Sequence, residues 1–196
     1  MVRAGHHPHA GDDEPAQERW HGVSGLLRAL AGGSSGSTGK ADDAANYRGT
    51  AANAVKAYRT AFTENGVIKS DRQCEYVRAI AFALLGEDES KAAAATLNQM
   101  VIENGCHLNT GFLSTPFLCD VLAKYDYTDT AYKLLLQPDA PGWLYEVGKG
   151  ATTIWETWTG IDANGHPSES LNHIPTARSA AGCSAACAAS IWRARL

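Results

Sequence analysis

The stretch PGWLYEVGKGATTIWETWTGIDANGHPSESLNH, residues 141–173, holds three tryptophans, one tyrosine and five glycines without a helical repeat. Ordering such a segment costs conformational entropy, so it is expected to build a site. Aromatic faces beside carboxylates suit sugar rings, because the apolar C–H face of a pyranose stacks while its hydroxyls need polar partners. Trp143, Tyr145, Trp155 and Trp158 are the candidate platforms. Glu156 sits between Trp155 and Trp158, and a carboxylate crowded by indole can have its pKa raised by desolvation, as acid/base chemistry requires. His173 in SLNH and His107 in GCHLNTG are loop histidines able to bond substrate hydroxyls. Each of these residues also has a plain structural reading. The tryptophans read equally well as core, Glu156 as a wet loop residue, and the histidines as structural or exposed residues.

The elements that must position this segment lie upstream. Tyr47, Ala51, Val55, Tyr58 and Phe62 recur at three- and four-residue steps, which predicts a helix from about residue 42 to 63, ended by Gly66. Tyr76, Ile80, Ala83 and Leu84 predict a second over residues 73–85, closed by Gly86. Asp88 is a cap for a third through Leu97 and Val101, with Gly105 beyond its end. Thr115 followed by Pro116 opens a fourth, and Thr128 opens a fifth that Pro138 stops. About five helices with short links and few strand signals predict an all-α chain of antiparallel hairpins, followed by an irregular aromatic-rich loop segment. The run ADDAANYRGTAANAVKAYRTAF could pass for one tetratricopeptide unit, but no period of about 34 residues repeats.

Composition narrows the function classes. The chain of 196 residues carries 17 Lys plus Arg against 21 Asp plus Glu, a net charge of −4, which gives no general reason to expect nucleic acid or an acidic membrane as partner. No apolar run approaches the roughly 20 residues of a membrane span, and the N-terminus shows no apolar h-region, so a soluble, cytoplasmic protein is expected. The five cysteines are odd in number and lack zinc-type pairing; Cys183 and Cys187 stand in CxxxC spacing without companion ligands. Neither a phosphate-cradling glycine loop nor a nucleophile elbow is present, and no metal or cofactor is implied. Oligomeric state is open at this level.

Four blocks, HLNTGFLSTPFLCDVL, DTAYKLLLQPDAPGWLYEV, GATTIWETWTG and SLNH, occur in an order and spacing that resemble the C-terminal half of the catalytic domain of bacterial α-L-rhamnosidases. These are inverting glycoside hydrolases built on an (α/α)6 six-hairpin barrel. The resemblance covers about residues 40–173 and is densest from His107 to His173. It implies a partial six-hairpin barrel, a rhamnose-containing carbohydrate as substrate, and removal of terminal rhamnose from glycosides or polysaccharides. ATTIWETW corresponds to the family's ATTIWERW-type block, whose Glu is the base that activates water, so Glu156 inherits that role. Thr157 stands where the family usually carries Arg, so the ion pair that Arg supports has no counterpart there. His173 and the aromatics Trp143, Trp155 and Trp158 are similar to positions lining the sugar pocket, and His107 with Thr110 and Gly111 matches a pocket-rim block. The family's acid lies in an upstream RDER-type motif, and no such motif occurs in this sequence. The chain alone is therefore expected to be inactive and, as an open arc of helices with uncovered apolar faces, marginally stable. A non-catalytic helical module binding sugar or protein through the same aromatic segment is the second reading.

Both ends differ in texture from the middle. Residues 1–39, rich in His, Gly and Ser, read as flexible or out of frame, and residues 40–173 as the rhamnosidase-like part. Residues 174–196, IPTARSAAGCSAACAASIWRARL, read as an out-of-frame tail. Permissible codons from Pro175 onward, taken from the last base of the Pro175 codon, spell YGAVCGWMFRGVCGIDLEGAP, which has the aromatic helical character the family shows after its Asn-His pair.

Overall fold

The computed structural model describes residues 41–162 and 164–173, with side chains from residue 45 onward. The flexible or out-of-frame segment read over residues 1–39 and the tail read over residues 174–196, with Cys183, Cys187 and Trp192, lie outside the described residues. The chain divides into two compact units, Met1–Glu64 and Asn65–Leu196.

In the first unit, helix α1 (Ala41–Phe62) matches the predicted helix to within a residue or so at each end, and strand β1 (Thr63–Glu64) follows it. Along its stripe Tyr58 is buried and stacks on Phe62 at 5.4 Å between ring centroids, while Tyr47, one helix end away, is exposed.

The second unit begins with Asn65 and Gly66, both at positive φ, then strand β2 (Val67–Ile68). Four helices follow: α2 (Gln73–Ala81), α3 (Glu87–Glu103), α4 (Thr115–Lys124) and α5 (Thr128–Leu135). Helix α2 packs on α3 and α4, α4 packs on α5, and α3 also touches α4 and α5. The core between them is Val77, Ala79 and Ile80 of α2, Leu84 just beyond it, Ala94, Leu97 and Val101 of α3, Leu118, Val121 and Leu122 of α4, and Leu134 of α5. These side chains lie at three- and four-residue spacing along each helix, as an amphipathic stripe requires.

Three departures from the sequence expectation have physical causes. Helix α2 stops at Ala81, short of the predicted Leu85 and well before Gly86. Ala83 turns left-handed at φ 53°, Leu84 N–H bonds the Ala79 carbonyl at 2.9 Å and Ala83 N–H bonds the Ile80 carbonyl at 3.1 Å. This is a Schellman termination, and burial of Leu84 beside Ala79 supplies its apolar contact. The third helix likewise starts at Glu87, and it is Glu89 Oε2 that accepts the Gly86 N–H at 2.7 Å, in place of a cap by Asp88. The third departure is a sixth helix among the described residues, α6 (Trp143–Gly148), inside the stretch read as irregular. At six residues it is under two turns, too short to display a repeat.

Candidate active site

The site is framed by the loop between α3 and α4 and by the segment after α6. Asn109 N–H donates to the buried Gln73 Oε1 at 3.1 Å, the Ser114 hydroxyl donates to the Cys74 carbonyl at 3.3 Å, and the hydroxyls of Thr110 and Thr115 lie 2.8 Å apart. These bonds fasten residues 109–115 to the start of α2 and the start of α4. A second set, Leu108 N–H to the Pro141 carbonyl at 3.4 Å and Gln137 Nε2 to the Gly105 carbonyl at 3.0 Å, joins the same loop to the approach of α6.

Helix α6 ends in another Schellman pair: Ala151 N–H reaches the Glu146 carbonyl at 3.0 Å, and Gly150, at φ 82°, reaches the Val147 carbonyl at 2.9 Å. The chain then lays residues 153–156 beside residues 170–173. Glu156 N–H donates to the Ser170 carbonyl at 2.9 Å, His173 N–H donates to the Ile154 carbonyl at 2.9 Å, and the Thr153 hydroxyl donates to the Leu171 carbonyl. The intervening loop is closed by Asp162, whose Oδ1 accepts the N–H groups of Asn164 and His166, each at 2.8 Å. Bonding from His166 first, and then from Asn164, holds the Asp162 carboxyl below its ordinary range. Gly160 is a steric requirement: a Cβ there would stand 3.2 Å from the Trp155 ring and 3.3 Å from Leu171.

This ladder brings Glu156 and His173 together. Glu156 Oε1 lies 4.0 Å from His173 Nε2, with the carboxylate side chain 37% and the imidazole 19% exposed. Phe112, which sequence reading passed over, meets the His173 ring edge-on at 5.3 Å and is itself 41% exposed. The result is an accessible carboxylate beside an imidazole and an open aromatic face. Such a set can orient a water, accept its proton and bind hydroxyls.

The remaining candidates fall in different places. Trp143 and Trp155 are core residues, 5% and 2% exposed, so their faces are occupied by protein rather than open as platforms. Trp158 is half-buried and packs edge-on against Trp143 at 5.6 Å. Tyr145 is half-buried, with Lys149 Nζ 5.4 Å from its ring centroid. His107 turns back on its own loop, its Nδ1 3.1 Å from the Asn104 carbonyl oxygen.

Desolvation of a carboxylate among these tryptophans falls on Glu146, which sequence reading did not single out. It is 1% exposed, Oε2 accepts the Trp155 N–H at 3.2 Å, and Oε1 is buried without a hydrogen-bond partner. Burial pushes its pKa up to about 7, against the lowering effect of the Trp155 N–H. In sequence it is one more Glu after an aromatic pair; no local signal marks it as buried. Among the described residues no group of three or more His, Cys, Asp or Glu side chains is placed to hold a metal ion. No helix among them is long and apolar enough to cross a membrane.

Residues 27–181 match the family described as the bacterial alpha-L-rhamnosidase 6 hairpin glycosidase domain, and the chain belongs to that family. Its fold is accordingly part of the (α/α)6 six-hairpin barrel of those glycosidases. An alpha-L-rhamnosidase of Formosa agariphila is 38% identical over 141 residues, 69% of this chain and 15% of that protein. One from Streptomyces avermitilis is 40% identical over 124 residues, 63% of this chain and 12% of that protein. Among solved structures, the native rhamnosidase of Aspergillus terreus superposes with a TM-score of 0.74 at 29% identity, covering 82% of this chain and 19% of that one. The Streptomyces avermitilis alpha-L-rhamnosidase complexed with L-rhamnose gives 0.72 at 34% identity, covering 82% and 16%. The chain thus spans about one-seventh of the length of these sequence relatives, 15% and 12%.

Proposed function

We propose that the chain supplies the base-bearing part of an inverting α-L-rhamnosidase acting on terminal rhamnose of glycosides or polysaccharides. The observation that carries this reading is the Glu156–His173 pair at 4.0 Å, open to solvent beside Phe112. Glu156 is the general base that draws a proton from water, and His173 bonds a sugar hydroxyl. Trp158 and Phe112 are the aromatic surfaces within reach of solvent, with Trp143 and Trp155 acting behind them as the packed wall.

Inversion needs a second carboxyl, protonated, on the leaving-group side, roughly 6.5–9.5 Å from the base. The sequence carries no RDER-type motif to supply it, so the chain by itself is proposed to lack the acid step. That division gives a direct test. Fluoride leaves a sugar without needing a proton, whereas methoxide does not. The purified chain is expected to hydrolyse α-L-rhamnosyl fluoride to β-L-rhamnose and to leave methyl α-L-rhamnoside intact. Glu156→Gln should lower the fluoride reaction by about 100-fold or more, the usual scale of a general base. An unchanged rate in that variant would remove the base assignment. Hydrolysis of the methyl glycoside would instead show that the chain has its own acid.

A further inference from the structure

Residue 146 grips the catalytic turn at both ends. Its backbone carbonyl accepts the N–H of Ala151, where the chain leaves α6, and its side chain accepts the N–H of Trp155, one peptide before Glu156. Residues 151–155 therefore form a loop closed on a single helical residue. The other side of the turn is held by the bonds to Ser170 and from His173, so the Trp155 peptide is where the hydrogen bonds of α6 and those of the ladder meet. A carboxylate is a costly way to satisfy one N–H at 1% exposure, since Oε1 goes without a partner. An apolar residue would fill the space without that penalty but would orphan the Trp155 N–H.

We propose that Glu146 is the positioning residue of the active site, fixing through the Trp155 N–H the Ile154–Trp155 peptide, one before that of Glu156, and with it the direction in which Glu156 projects toward His173. It does not touch substrate. Its effect on turnover rests on the reading of Glu156 as base, whereas its effect on the peptide does not.

Nuclear magnetic resonance on the full chain tests the two parts separately. In the wild type, the Trp155 amide is expected to show a through-hydrogen-bond coupling to the Glu146 carboxyl carbon and slow hydrogen exchange. In Glu146→Leu that protection should fall by about tenfold or more while amides of α3 keep theirs. Glu146→Gln, which keeps an acceptor oxygen, should restore it. On α-L-rhamnosyl fluoride, Glu146→Leu should lower kcat by about 10- to 100-fold at nearly constant KM, the scale of a misplaced catalytic group, with Glu146→Gln returning to within about threefold of wild type. A fast-exchanging, uncoupled Trp155 amide in the wild type overturns the proposal, and this measurement needs no variant to fold. Leucine and glutamine variants of equal kcat overturn it as well. If the wild type shows no fluoride hydrolysis, the base reading fails, and the exchange data alone decide whether Glu146 sets the peptide.

Discussion

Glu146 and Glu156 are two carboxylates ten positions apart with opposite surroundings, one sealed among core residues and the other open beside an imidazole. The sealed one has a measurable consequence for stability. Its folded pKa is raised to about 7 from 4.5, so between these values the native state holds a proton that the unfolded chain has released. Stability is then greatest below the lower value, declines as pH rises across the window, and levels off above it, for a total on the order of 3 kcal/mol. Urea unfolding at pH 5 and pH 8 should show this decline in the wild type and lose most of it in Glu146→Gln; equal slopes in both would contradict the assignment. At the open site, Trp158→Ala is expected to weaken L-rhamnose binding by about tenfold while costing about 1 kcal/mol from its edge-on contact with Trp143. Sugar titration and thermal unfolding of the same variant separate these effects. Glu156, His173 and Trp158 were legible as candidates from their motifs. Glu146 and Phe112 were not, because the burial of one and the exposure of the other arise from packing.

Four helix ends among the described residues share one device. Helices α2, α3, α4 and α6 each stop at a left-handed residue, Ala83, Gly105, Asp126 and Gly150, with the following N–H bonded back five residues to Ala79, Val101, Leu122 and Glu146 respectively. Two of the four, Gly105 and Gly150, are glycine, the residue that occupies this region without strain. Ala83→Gly is therefore expected to stabilise the chain by up to about 1 kcal/mol, and Gly150→Ala to destabilise it by a similar amount. Chemical denaturation reads both, and a destabilised Ala83→Gly would show that the alanine methyl packs to advantage. The starts of α4 and α5 were readable from Thr115-Pro116 and Thr128, whose side-chain and ring chemistry acts locally. The end of α2 was not, since a buried Leu84 rather than a glycine sets it. Helix α6 escaped because fewer than two turns leave no period to detect.

Across the whole molecule, burial separates what holds the fold from what faces outward. Leu97 and Leu122 are fully buried, and either one changed to Ala should cost roughly 2–5 kcal/mol. Leu136 and Val147 are 60% and 62% exposed, and Lys at either position should change stability by no more than about 0.5 kcal/mol. The same Lys variants are expected to reduce light scattering in concentrated solution, because they interrupt exposed apolar surface contributed also by Val67, Ile102 and Leu144. Unchanged scattering would locate any association elsewhere.

Apolar spacing, caps and the ordered blocks from His107 to His173 determined the helical class and the family by themselves, and they brought Glu156 forward as a candidate base and His173 as a candidate partner for a sugar hydroxyl. Those features are encoded within a turn or within a motif, so neighbouring residues suffice to express them. Tertiary structure decided which aromatics line the wall and which reach the surface, and which carboxylate gives up water. Both depend on contacts between segments far apart in the chain, where Glu146 of a short helix meets the Trp155 peptide and Phe112 meets His173.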